Sequence, residues 1–144
     1  MLVLVGPTAV GKSAFAFKIA QSLGTDIISA DSALVYRHLD IGTAKPSQAE
    51  QRRVKHHLID MVTPDQDFSV ADYQKNAYVV IEQLWQQGKL PFMVGGTGLY
   101  VKAVTDCYSF GHIGKNSPLR EEYELLAKIE GVDKLYARLT DLDP

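Results

Sequence analysis

The chain predicts an α/β fold: a parallel sheet with helices on its faces. Three observations carry this. Short apolar runs alternate with stretches of helical periodicity along most of the 144 residues. Each apolar run ends in small or polar residues: Gly6 to Ser13, Asp31-Ser32, and Gly95 to Gly98. The first of these clusters, Gly6-Pro7-Thr8-Ala9-Val10-Gly11-Lys12-Ser13, fits G-x-x-x-x-G-K-[ST], the phosphate-binding P-loop.

Leu2-Val3-Leu4-Val5 reads as a buried strand feeding that loop. Ala14, Phe15, Ala16, Ile19, Ala20 and Leu23 mark the helix after it, and Gly24 stands where a helix C-terminus favours glycine. Asp26 to Ala30 reads as a second buried strand ending at Asp31. Residues 32–55 are mixed: a tight segment Ser32 to Tyr36, a loop Gly42 to Pro46, then a polar stretch Ser47 to Lys55. His57-Leu58-Ile59-Asp60 reads as a short extended segment. Ser69 and Asp72 resemble a capping box opening a helix from Val70 to Gln87, with Val70, Tyr73, Ala77, Val80, Ile81 and Leu84 on one face. Tyr73 and Trp85 are expected in the core. Pro91 to Val94 is the next buried strand, and a helix is expected from Leu99 to about Thr105. Asp106 to Ser117 is loop-like; Pro118 to Ile129 and Asp133 to Leu142 are amphipathic helices separated by Gly131.

Bulk properties bound the function. Hydrophobic content of 46% and charged content of 22% exclude disordered and fibrous classes. A net charge of −2 gives no global basic field to point at nucleic acid. The charge divides unevenly: residues 1–105 hold 10 Lys+Arg against 9 Asp+Glu, and residues 106–144 hold 5 against 8. One cysteine, Cys107, cannot form an internal disulfide, which predicts a reducing, cytoplasmic setting. No apolar run approaches the ~18 residues of a membrane span. Met1 stands almost at the first strand, and the other end follows an amphipathic helix with no closing strand. The chain therefore reads as an open-ended piece of something longer.

The P-loop predicts a phosphorylated ligand. Lys12 is placed to reach a terminal phosphate, Ser13 to offer its hydroxyl to Mg²⁺, and loop N–H groups to cradle oxygens. Asp31 ends a strand beside the same crevice, where a carboxylate serves as a general base, a metal-holding group or a turn residue. A Walker-B aspartate is missing, because Phe92-Met93-Val94 runs into Gly95-Gly96-Thr97 instead. That lowers the expectation of ordinary ATP hydrolysis. Tyr36, Arg37 and Lys45 could contact phosphate or base, or be surface residues. Neighbouring His56 and His57 point apart in an extended segment, so packing or hydrogen bonding is expected of them rather than a metal. Cys107 has no obvious partner and is not expected to act as a nucleophile.

Six blocks in order make the reading specific: residues 6–13, Ser29 to Arg37, Asp40 to Pro46, His56 to Asp60, Phe68 to Tyr73 and Val94 to Tyr100. Together they resemble the bacterial tRNA dimethylallyltransferase family, strongly over 1–105 and loosely over 106–144. The resemblance implies a P-loop NTPase-like, three-layer parallel sheet (1–105) and the start of a helical tRNA-binding insertion (106–144). It implies transfer of a dimethylallyl group from dimethylallyl diphosphate to N6 of adenosine 37 of tRNA, with Mg²⁺, by a cytoplasmic monomer. Gly6, Pro7, Thr8, Ala9, Val10, Gly11, Lys12 and Ser13 would then hold diphosphate rather than ATP. Asp31 matches the general base, and Thr8 a threonine at the diphosphate and reacting centre. Asp31, Ser32, Ala33 and Leu34 match a segment touching the target nucleotide, and Thr97 and Arg120 match tRNA contacts. The chain departs from many members at Ala33-Leu34, where they carry Met-Gln. Members are longer; their later part returns to the P-loop core with a basic stretch and a diphosphate-binding arginine. Weak or no catalysis is therefore expected of these 144 residues alone. The competing expectations are a small-molecule P-loop kinase and a non-catalytic piece that only binds diphosphate or a partner.

Overall fold

The structure is a computed structural model that describes residues 1–7, 9–110 and 118–143. Four strands form one parallel sheet in the order β1-β4-β2-β3: β1 (Leu2–Val5), β2 (Ile27–Ala30), β3 (His56–His57) and β4 (Phe92–Gly95). Val5 pairs with Gly95 and Gly95 with Ala30, so the carboxyl ends of three strands lie level along one edge.

Successive side chains of a strand point to opposite faces, and the two faces carry different helices. Ile27, Phe92 and Val94 meet Ala16 and Ala20 of α1 (Lys12–Leu23). Ile28, Ala30 and Met93 meet Tyr73, Ala77, Ile81 and Leu84 of α3 (Val70–Gln86) and Tyr100 and Val104 of α4 (Gly98–Thr105). This is the predicted sandwich of helix, parallel sheet and helix. Gly24 ends α1 in the left-handed conformation at φ 59°. The Ser69–Asp72 capping box is formed: the Ser69 hydroxyl accepts the Asp72 N–H, and the Asp72 carboxylate accepts the Ser69 N–H at 2.9 Å.

Four expectations need correction. Ser47 to Lys55 is not merely a polar stretch, because α2 (Gln48–Arg53) forms there behind a second capping box of Ser47 and Glu50. The extended segment near residue 57 is only the pair His56–His57, beside β2. β1 is half-exposed rather than buried: among the described residues it pairs with β4 alone, and Val5 is 56% exposed. Trp85 is 56% exposed whereas Tyr73 is fully buried. Trp85 stands seven residues beyond Tyr78, about 20° around the helix from it, and both lie on the flank of α3 rather than its buried face.

At the amino end of the sheet the Asp26 carboxylate accepts from Lys89 (2.8 Å) and His57 (2.9 Å), joining β2, β3 and the α3–β4 turn. Burial pushes the Asp26 carboxyl up; the hydrogen bonds and charges of Lys89 and His57 outweigh this and hold it below the ordinary range. His56 bonds the Val54 carbonyl. Both histidines thus serve hydrogen bonding beside the sheet.

The chain divides into two compact units, Met1–Tyr108 and Ser109–Pro144. In the second, α5 (Pro118–Glu130) and α6 (Val132–Leu142) pack on each other, and no described residue of either helix is buried. The predicted loop 106–117 is described only as far as Phe110, and Gly111 and Gly114 lie outside the described residues.

Candidate functional site

Because β1, β4 and β2 are parallel neighbours, the chain leaves all three at the same edge, the usual place for a ligand in such sheets. The P-loop follows β1, Gly95-Gly96-Thr97 closes β4, and Asp31 follows β2. The three polar clusters read from the sequence therefore meet at one edge.

The P-loop takes the form its letters require. Ala9 (φ 68°) and Gly11 (φ 85°) are left-handed, which lets consecutive N–H groups turn toward one point. Gly11 then opens α1, whose first N–H groups have no intrahelical acceptor. The Lys12 ammonium donates to the Pro7 carbonyl, so its side chain folds back over the loop. Ser13 lies exposed in the first turn of α1. Its hydroxyl, with phosphate oxygens and water, is a hard oxygen donor set that suits Mg²⁺. Gly6, Pro7, Ala9 and Val10 make up the rest of the described loop; Thr8 lies outside the described residues.

Asp31 is half-buried at the end of β2. One carboxylate oxygen, Oδ1, accepts the Ala33 N–H at 2.9 Å, folding residues 31–33 into an Asx turn. Among the described residues nothing donates to Oδ2. Thr97 reaches the residue on each side of Asp31. Its N–H donates to the Ala30 carbonyl at 3.0 Å. Its Oγ1 accepts the Ser32 N–H at 2.9 Å and donates to the Ser32 hydroxyl at 3.2 Å. This closeness needs glycine at position 95, because a Cβ there would sit 2.1 Å from the Ala30 oxygen. A Cβ on Gly96 would lie 3.6 Å from the Gly6 oxygen, so the β4 turn also abuts the P-loop.

Aromatic side chains floor the Asp31 turn. Tyr73 stacks on Tyr100 with ring centroids 3.9 Å apart, and its hydroxyl donates to the Ser29 carbonyl at 3.0 Å. Burial pushes both phenols above their ordinary value, and Tyr100 is raised further by the neighbouring Tyr36, Asp72 and Asp31. Both rings stay neutral and act as packing.

Arg37 and Lys45 brace the chain beyond the Asp31 turn. Arg37 donates to the carbonyls of Asp60 (2.8 Å) and Met61 (3.2 Å). The Lys45 side chain, 5% exposed, donates to the Tyr36 carbonyl and to the carboxylates of Asp40 (2.8 Å) and Asp60 (2.7 Å). Burial alone would lower its pKa; the two carboxylates outweigh burial and raise it. With Tyr36 bridged to Val62, these bonds tie residues 36–45 to 60–62 just after the Asp31 turn. The letters gave no sign of this cage, since its partners lie up to 24 positions apart. Arg120 lies on α5 in the second unit, paired with Glu124 at 3.1 Å. Leu119, Arg120, Tyr123 and Glu124 line a concavity of about 430 Å³ within that unit.

A parallel sheet with a P-loop on one strand and a carboxylate two strands away defines an α/β protein of P-loop type. Comparison with known proteins narrows that class. The IPP transferase family profile matches residues 34–144, and the chain belongs to that family. A tRNA dimethylallyltransferase of Herpetosiphon aurantiacus is 51% identical over the whole chain, which covers 46% of that protein. One from Pelotomaculum thermopropionicum is 49% identical over the same span, again 46% of the relative. The crystal structure of the full-length tRNA isopentenylpyrophosphate transferase of Bacillus halodurans superposes with a TM-score of 0.74 at 45% identity, covering 99% of this chain and 47% of that one. The chain spans about half the length of the curated relatives it matches.

Proposed function

We propose that this chain forms the diphosphate-holding and base-activating half of an enzyme that transfers a dimethylallyl group from dimethylallyl diphosphate to N6 of adenosine 37 in tRNA. One observation carries the reading. A half-buried carboxylate, Asp31, shares the strand-end edge with a P-loop, and the strand between them ends in Gly95-Gly96-Thr97 rather than a Walker-B aspartate. A hydrolase would use an aspartate there to hold its metal. A transferase needs room for an acceptor and a base for its proton. The names of the relatives supply the acceptor and the donor group.

The adenine N6 lone pair is delocalised into its ring and is a weak nucleophile. Attack on C1 of the dimethylallyl group forms the N–C bond while the C–O bond to diphosphate breaks, and the electron pair leaves with the diphosphate. Asp31 takes the N6 proton, using the oxygen its turn leaves available. Lys12 and the N–H groups opening α1 receive the departing diphosphate. Ser13 would hold Mg²⁺, whose charge neutralises the diphosphate when bound. The resemblance adds Thr8 at the reacting centre, and Ser32, Ala33 and Leu34 against the target nucleotide. It also implies tRNA contacts for Thr97 and Arg120. A cytoplasmic setting is supported by the single free, exposed Cys107, and the reading takes the protein as a monomer.

Labelled dimethylallyl diphosphate and a tRNA carrying adenosine 37 test this. The chain is expected to label the tRNA slowly. Asp31→Asn should lose transfer by roughly 10²–10⁴-fold, the usual worth of a general base, while binding dimethylallyl diphosphate as before. Undiminished transfer by that variant removes Asp31 from the base role. ATP-dependent phosphorylation of a small molecule without prenyl transfer overturns the reading in favour of a kinase.

A further inference from the structure

The hydroxyl of Thr97 is in an unusual place for its position in the fold. Thr97 is the N-cap of α4, where a threonine oxygen ordinarily accepts an N–H of the first helical turn. Here the side chain makes no cap hydrogen bond. Forgoing a cap costs a helix about 1 kcal/mol, and the oxygen serves the β2 end instead. It accepts the Ser32 N–H at 2.9 Å and donates to the Ser32 hydroxyl at 3.2 Å. The backbone N–H of the same residue holds the Ala30 carbonyl at 3.0 Å. One residue therefore grips both chain neighbours of Asp31, and the missing Cβ of Gly95 lets it come that close.

We infer that Thr97 is a positioning residue for Asp31. With Ala30 and Ser32 held, the residue between them keeps little backbone freedom. The Asx bond to the Ala33 N–H then fixes the carboxylate about its own side chain. The oxygen left over, Oδ2, faces a direction set by Thr97 without Thr97 touching the reacting atoms. The inference rests on Asp31 being the base and goes beyond the tRNA contact that the family resemblance implies for Thr97. A residue that only touched RNA would gain nothing from abandoning its own helix.

Thr97→Val keeps the shape and removes both hydroxyl bonds, whereas Thr97→Ser keeps the hydroxyl. Two measurements on the 144-residue chain decide the matter. The first is amide hydrogen exchange at Ser32, read by NMR without any ligand. It should speed up by about tenfold in Thr97→Val, the loss of one modest hydrogen bond, and return to the original rate in Thr97→Ser. The second is steady-state prenyl transfer. In Thr97→Val, kcat should fall by roughly 10²-fold, as a misplaced catalytic group does. KM for dimethylallyl diphosphate and for tRNA should stay within twofold of the original, and Thr97→Ser should recover most of kcat.

Unchanged Ser32 exchange overturns the bracket whatever transfer does. Faster exchange with kcat intact, or a raised tRNA KM at constant kcat, shows a structural or RNA-contacting threonine and overturns the positioning role. If Asp31→Asn keeps full activity, the base assignment fails, and the positioning role with it. The Ser32 exchange rates still report whether the bracket exists, so the two failures are distinguishable.

Discussion

Close approach of backbone to backbone organises the site at the scale of single residues. Strands β2 and β4 run so near each other at their carboxyl ends that position 95 has no space for a side chain, the nearest atom being the Ala30 carbonyl oxygen. The pairing of Gly95 with Ala30 and the Thr97 N–H bond to the same carbonyl both depend on that space. Gly95→Ala must therefore push the strands apart or break both bonds. Overpacking of a well-packed core costs ~1–3 kcal/mol, and here the obstacle is main chain that no rotamer change can clear. The variant is expected to lose about 3 kcal/mol or more in urea denaturation and to weaken the protection of the Thr97 amide. An unchanged urea midpoint would show that the strands separate freely at this end. Gly96→Ala is the internal control, since its Cβ would meet only the Gly6 oxygen at 3.6 Å, an ordinary contact.

At the scale of elements, the helices are set by what precedes them. Helix α3 carries five buried side chains on one face and begins at a reciprocal capping box. Ser69→Ala should cost about 1 kcal/mol in urea denaturation, because α3 covers most of one sheet face and its start cannot fray cheaply. Ser47→Ala removes the same motif from α2, a six-residue helix with no buried residue. It should cost less than about 0.5 kcal/mol, as exposed sites do. Equal losses at the two sites would mean that capping, not burial, sets the value of a box here. The two boxes also show where the sequence was legible. Ser69 was readable because a 3.6-residue apolar rhythm follows it; Ser47 and Glu50 have the same spacing but precede Gln, Ala and Arg, with no rhythm to announce a helix. Strands and the P-loop were readable because hydrophobic runs and glycine spacing are local signals. Trp85 was misplaced because it stands one turn beyond buried Ile81, only about 40° around the helix from it, less than periodicity resolves. The Lys45 cage and the Thr97 bracket were hidden because each joins residues distant in the chain, and a threonine ahead of a helix reads as a cap until its partner is seen. For the site, the sequence showed which strand ends carry polar residues, but not which of those residues hold the others.

On the scale of the whole molecule, burial is distributed very unevenly. Every buried residue among those described lies in the unit Met1–Tyr108, where two apolar clusters enclose the sheet from both faces. The unit Ser109–Pro144 keeps Leu125, Ile129, Val132, Tyr136 and Leu139 more than half exposed. Among its described residues the ion pairs are exposed: Arg120–Glu124 spans one turn of α5, and Lys134–Glu130 joins the start of α6 to the end of α5, each worth ~0.2–1 kcal/mol. Helices of 13 and 11 residues lie at or below the length at which isolated helices hold in water. Two such helices, with no buried residue among those described, cannot match the cooperativity of the sheet. Native-state hydrogen exchange should therefore separate the units. Amides of β2, β4 and α3 should exchange only on global unfolding, and those of α5 and α6 by local opening at least about 100-fold faster. Adding urea should accelerate the first group steeply and the second hardly at all, because little surface is exposed when a half-exposed hairpin opens. Equal protection and equal urea dependence in the two groups would mean that the 144 residues unfold as one body, and the division at Tyr108 would then have no energetic meaning.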